Sequence, residues 1–175
     1  MRAIVMVTAA VLLAGCGSRE PVKRQPGSWG QTIQLVRLEG KGLDASAKRQ
    51  MQQMFDMFGK MTVCVTPEQA AKEDVAKNME KLGAGGGDCT IEKKQASGET
   101  VDFAATCKKN GDTIKLSMAG TSGATRQDLT IKVAPTDQSV PSGMEMHVVA
   151  ERRGDCTASD IRTPDAPANT TAPAS

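Results

Sequence analysis

Apolar positions recur with two periods along this chain, and the change from one to the other falls near Asp88. In residues 29–38, Trp29, Ile33 and Leu35 fall on one face of a strand, which Gly40 and Gly42 end. Asp44 then stands where its carboxylate can accept from unpaired N–H groups in the first turn of a helix. Ala47, Met51, Met54, Phe55 and Phe58 follow at helical spacing up to Gly59 and predict that helix's buried stripe. Residues 60–65 read as a short strand. Thr66-Pro67-Glu68-Gln69 opens a second helix, with Thr66 at the N-cap, Pro67 where no N–H is needed and Gln69 completing a capping box. Ala71, Val75, Met79 and Leu82 are its expected stripe, and Gly83 its stop.

From Asp88 onward the period is two, and the turns set a register. Asn110-Gly111 is the strongest hairpin signal, because both residues tolerate the positive φ of a type I′ turn. Pairing across it places Cys107 opposite Ile114, Ala105 opposite Leu116 and Phe103 opposite Met118. A turn at Ser122-Gly123 pairs Leu116 with Leu129 and Ile114 with Ile131. Both turns then agree on one buried face, made of Phe103, Ala105, Cys107, Ile114, Leu116, Met118, Leu129, Ile131 and Val133. A last strand over residues 144–152 adds Met144, Met146 and Val148. The expected class is α+β: an antiparallel β-meander of about five to seven strands with two helices packed on one face.

Residues 1–15 have the pattern of a signal peptide. Arg2 supplies a positive charge, and residues 3–13 are apolar apart from Thr8, a run too short for the roughly 20 residues that span a bilayer. Leu13-Ala14-Gly15-Cys16 closes the run and resembles the lipobox of bacterial lipoproteins. That resemblance implies cleavage before Cys16, lipid on the Cys16 thiol and amine, and firm anchoring by several acyl chains. Gly17 stands where inner-membrane lipoproteins typically carry Asp, which implies the outer membrane facing the periplasm. Residues 16–25 read as a lipidated tether, 26–157 as a single domain, and 158–175 as a disordered tail rich in Pro, Ala and Thr.

Cleavage removes 15 of the 175 residues and leaves 160, enough for one domain with a core. With Cys16 acylated, Cys64, Cys89, Cys107 and Cys156 remain, an even number that reads as two disulfides in an oxidising compartment. A four-thiolate zinc site is the weaker reading, since no C-x-x-C is present. Keeping Ile91 on the buried face across the Ser97-Gly98 turn sets Cys89 opposite Cys107, close enough to bridge. By elimination Cys156 meets Cys64.

Several segments together resemble the domain-of-unknown-function 3617 family of small exported bacterial proteins. They are Pro26-Gly27-Ser28-Trp29, the run Met61-Thr62-Val63-Cys64-Val65-Thr66-Pro67-Glu68, Gly87-Asp88-Cys89-Thr90 and Arg152-Arg153-Gly154-Asp155-Cys156. Gly30-Gln31 departs from the family's usual continuation after the tryptophan. The resemblance implies the fold and an exported location. It implies no catalytic residues.

Composition removes function classes. Lys and Arg number 22 against 20 Asp and Glu, so no strong field draws nucleic acid or an acidic partner. Aromatics are 2% with no Tyr, which leaves no stacking platform for single-stranded nucleic acid. Gly85-Gly86-Gly87 lacks the Lys-Ser/Thr ending of a phosphate loop, so no nucleotide is expected. His147 is the only histidine, Gly120-Thr121-Ser122-Gly123 is a turn, and no nucleophile motif exists. The chain is expected to be no enzyme and to need no cofactor.

Two patterns bear on binding. Met51, Met54, Met57, Phe58 and Met61 outnumber what one buried stripe requires, and adaptable Met and Phe suit an apolar ligand, a lipid or a partner segment. Met144, Met146 and His147 offer soft ligands for Cu(I), though strand alternation turns His147 away from both methionines. The leading expectation is a non-enzymatic module at the membrane that meets an envelope protein or lipid. The alternatives are a carrier of a small apolar ligand or Cu(I), and an inhibitor of a secreted enzyme.

Overall fold

The computed structural model describes residues 19–74, 77, 88–109, 112–136 and 142–162. Cys16 and the expected signal peptide, the Val75, Met79 and Leu82 stripe with Gly83, the Gly85-Gly86-Gly87 loop, the Asn110-Gly111 turn and residues 163–175 lie outside them.

The described chain is mostly β: an eight-stranded mixed sheet with two short helices and two disulfides. In chain order the elements are β1 (Gly27–Glu39), α1 (Ala45–Gly59), β2 (Thr62–Val65), α2 (Pro67–Lys72), β3 (Asp88–Ser97), β4 (Thr100–Lys109), β5 (Asp112–Ser122), β6 (Arg126–Pro135), β7 (Gly143–Gly154) and β8 (Ile161–Arg162). The spatial order is β3-β4-β5-β6-β7-β1-β2-β8. Strands β3 to β7 form the expected meander. The expectation of a simple meander fails beyond it, because β1 returns to pair with β7 and carries β2, on which β8 lies parallel.

The register across β4 and β5 pairs Phe103 with Met118, Ala105 with Leu116 and Cys107 with Ile114, as the alternation predicts. Between β5 and β6 the pairing is displaced by four residues from the expected one: Leu116 faces Val133 and Gly120 faces Leu129. The two-residue loop is Ala124-Thr125 and not Ser122-Gly123, closing with Gly123 N donating to Arg126 O at 2.8 Å. Gly120 fits this register, since at φ +148° any Cβ would lie 2.1 Å from Asp128 O. An even shift keeps every side chain on its face, so the buried set survives the slip. Val101, Phe103, Ala105, Cys107 and Met118 form the main core, with Ile114, Leu116, Leu129 and Ile131 packed against it. A second core joins Trp29, Val65 and Ala70.

The helices do not pack together on one face of the sheet, and α1 has no buried residue. It runs instead beside β1 beyond the end of β2, along backbone groups that no strand pairs. Gln52 takes the place of a neighbouring strand there: its Oε1 accepts from Leu35 N at 2.7 Å and its Nε2 donates to Ile33 O at 2.9 Å. Lys48 Nζ donates to Val36 O at 2.9 Å. A backbone group left unpaired in that position costs about 1–3 kcal/mol, so the carboxamide is what an uncovered edge requires. The expected buried stripe is therefore split: Gln52 and Lys48 face the strand edge, Met51 and Phe55 are half-buried, and Met54 and Phe58 are exposed.

Both expected boundaries of the domain also move outward. Residues 19–25, read as tether, are bonded to the turns at one end of the sheet: Val22 N donates to Gly98 O and Gln25 N to Ala124 O, each at 2.8 Å. Asp160 and β8 fall inside the segment read as tail. Among the described residues no helix is long and apolar enough to cross a membrane.

Candidate functional site

Helix α1 begins at Asp44, whose Oδ1 accepts from the backbone N–H groups of Ser46 and Ala47 at 2.9 Å each. It ends with Lys60 N and Met61 N donating to Met57 O and Phe58 O. Because Gln52 and Lys48 turn toward β1, the residues out of phase with them turn to solvent. Met54, Met57, Phe58 and Met61 are 42%, 63%, 42% and 39% exposed. Met54, Met57 and Phe58 share one helical face at i, i+3 and i+4, and Met61 follows just past the end of α1. Met51 and Phe55 are half-buried between that face and the strand. Of the five residues expected to bind, four stand together on this surface and Met51 borders it. Withdrawing a Met or Phe side chain from water is worth about 1.5–3 kcal/mol, so four exposed together hold unused binding energy.

The copper ligand set is not brought to one place. Met146 aligns with Leu35 and Ile131, while the next residue, His147, aligns with Gln34 and Thr130 on the opposite face. His147 Nε2 lies 2.6 Å from Asp128 Oδ1. The hydrogen bond from His147, then that from Arg126, holds the Asp128 carboxyl below its ordinary pKa. Arg126 also pairs with Glu151. This is a line of polar pairs across neighbouring strands.

The disulfides join Cys64 to Cys156 and Cys89 to Cys107, with Cα separations of 5.2 and 4.0 Å. Cys89 and Cys107 are directly paired residues of β3 and β4, the pairing that the strand register predicts. Beyond Cys156 is a polar knot that the sequence reading missed. Asp160 is 7% exposed; its Oδ1 accepts from Ser28 Oγ at 2.9 Å and from Thr62 Oγ1, and its Oδ2 from Thr157 N at 2.6 Å. The signal available was an acidic residue four positions past a bonded cysteine, where the chain has not yet left the domain.

The Thr157 N–H first, then the Thr62 and Ser28 hydroxyls, hold the Asp160 carboxyl below the usual carboxylate range. The ionised form is therefore favoured by folding, and its contribution is complete above the unfolded value of about 4 and lost as pH falls below it. In urea unfolding, Asp160→Asn is expected to lower the midpoint clearly at about pH 6 and much less at about pH 3. An equal loss at both would show that the carboxylate charge is not what holds the knot.

None of the curated proteins and none of the solved structures matches the chain. One family profile does, over residues 24–156, and its description is "Protein of unknown function (DUF3617)".

Proposed function

The chain belongs to the DUF3617 family, and on that premise we propose that it is a lipid-anchored protein of the bacterial envelope that binds another envelope protein without catalysing a reaction. The observation that carries the proposal is the exposed apolar cluster of Met54, Met57 and Phe58 on α1 with Met61 just past its end. Four large apolar side chains keep about two fifths or more of their surface in water, beside a strand whose edge is already satisfied by Gln52. Met side chains re-pack at low cost against different shapes, which suits a protein partner's apolar segment. The lipobox at residues 13–16 supports the membrane location, and Gly17 supports the outer membrane. Two disulfides fit an oxidising periplasm.

The test places a photo-crosslinking amino acid at position 57, on the stripe, and separately at position 115, on the exposed polar face. A discrete protein adduct is expected from position 57 alone. Phe58→Ala removes about 1.5–3 kcal/mol of burial at a filled interface, a tenfold or greater loss of affinity, and is expected to abolish that adduct. Equal adducts from both positions, or one that survives Phe58→Ala, contradict the proposal. A lipid-sized adduct at position 57 replaces the protein partner with an apolar ligand.

A further inference from the structure

Residues 19–25 are bound along their whole length to one end of the domain. Gly98 N donates to Arg19 O at 3.2 Å and Val22 N returns to Gly98 O at 2.8 Å, so Arg19 and Val22 bracket the turn between β3 and β4. Gln25 N reaches Ala124 O in the connection between β5 and β6, and Trp29 Nε1 donates to Gln25 O at 2.9 Å. On the side of α2, Lys23 Nζ donates to Ala71 O at 2.7 Å, and Arg24 uses both its Nε and its backbone N–H on the Glu73 carboxylate. The Arg24 guanidinium also lies over the Trp29 ring, 5.3 Å from its centre. These seven residues form a strap across the turns, fastened at four places, with none of the slack of a flexible linker.

Cys16 stands three positions before Arg19. Three residues at full stretch reach about 11 Å, so that is the most that separates the Cys16 backbone from the strap. The opposite end of β3 is ten residues from Gly98, about 33 Å away along the strand. We infer that the lipidated protein stands on the bilayer by one fixed end: the β3–β4 turn, the β5–β6 connection and the end of α2 face the headgroups. The loop after β1 and the start of β7 at Gly143 point away from them. This inference rests on the proposed acylation of Cys16. The exposed charges at this end are of both signs, Arg19, Lys23 and Lys72 beside Glu20, Asp74 and Glu99. The strap and its short reach fix the orientation, and the fixed end therefore persists at high salt.

The arrangement has a consequence for the binding stripe. At Gly59 a Cβ would lie 3.0 Å from Gln31 O, and Gln31 pairs through Ala150 and Gln127 with Ser122, so the end of α1 is level with the base of the β5–β6 connection. The Met/Phe cluster therefore begins beside the anchored end and rises from it along α1, where a protein partner at the membrane surface can reach it.

Glycines mark both ends of the molecule, which provides the test. The mature chain, purified from membranes and labelled with nitrogen-15 at glycine, is placed in lipid nanodiscs containing headgroup-chelated gadolinium. Intact mass establishes acylation beforehand. If acyl chains are absent, the lipoprotein reading fails on that result, and a dialkyl maleimide lipid coupled to Cys16 still tests the orientation. Paramagnetic relaxation at Gly98 and Gly123 is expected to exceed that at Gly40, Gly42 and Gly143 by about tenfold or more over a span of ~26 Å, at low and at high salt. A long serine-rich linker inserted between Cys16 and Arg19 is expected to level the gradient. Equal relaxation at all glycines, stronger relaxation at Gly143, or a gradient that survives the linker overturns the inference.

Discussion

Replacing Cys64 and Cys156 together by alanine is expected to lower the free energy of unfolding by about 4.5 kcal/mol. The bond spans 92 residues, so breaking it releases a long loop in the unfolded chain. It also ties β2 to the segment that follows β7, alongside the Thr62–Asp160 hydrogen bond and the short parallel pairing with β8. Small domains are stable by roughly 5–15 kcal/mol, so this change alone takes a third or more of the total. Denaturant unfolding of the double variant reads the loss directly. The Cys89–Cys107 bond closes only 18 residues between strands already paired, and its removal is expected to cost about 3 kcal/mol. A smaller loss for the long bond than for the short one contradicts the assignment of Cys64–Cys156 as the tie between the two halves.

Phe103→Ala is expected to cost about 3–5 kcal/mol, because the ring is 1% exposed at the centre of the main core and the atoms around it cannot close the space. Phe58→Ala, on α1, is expected to change stability by less than about 0.5 kcal/mol, as for other exposed sites. The two phenylalanines separate the roles of core and candidate surface by one measurement, thermal or urea unfolding of each variant. A large loss at Phe58 in the isolated protein identifies the stripe as packing, and the proposed interface with it.

The sequence carried the β3 to β5 pairing because each hairpin is local: a turn fixes the register and alternation fixes the face. The same logic misplaced β6 by four residues, since Ser122-Gly123 has the composition of a tight turn while the two loop residues are Ala124-Thr125, and moving a loop by two residues moves the register by four. Even then the buried face was right, because only an odd slip exchanges the faces. The position of β1 between β7 and β2 was not legible, as no local signal reports which strands meet across more than a hundred residues.

For α1 the periodicity identified which side chains share a face, but not what that face meets. Gln52 among the apolar positions was the available clue: a carboxamide on the inner side of a helix matches a strand edge and not a greasy face. The strap at residues 19–25 read as linker because it is polar, and polarity does not distinguish a solvated chain from one bonded to turns. Asp160 was hidden by the Pro-rich residues that follow it.

The most direct test of the central claim is the intact mass of the protein isolated from its own membranes. The account predicts residues 16–175, carrying a diacylglyceryl group and one further acyl chain, less four hydrogens for the two disulfides. The mass of the uncleaved chain, or of a cleaved chain without lipid, would contradict it.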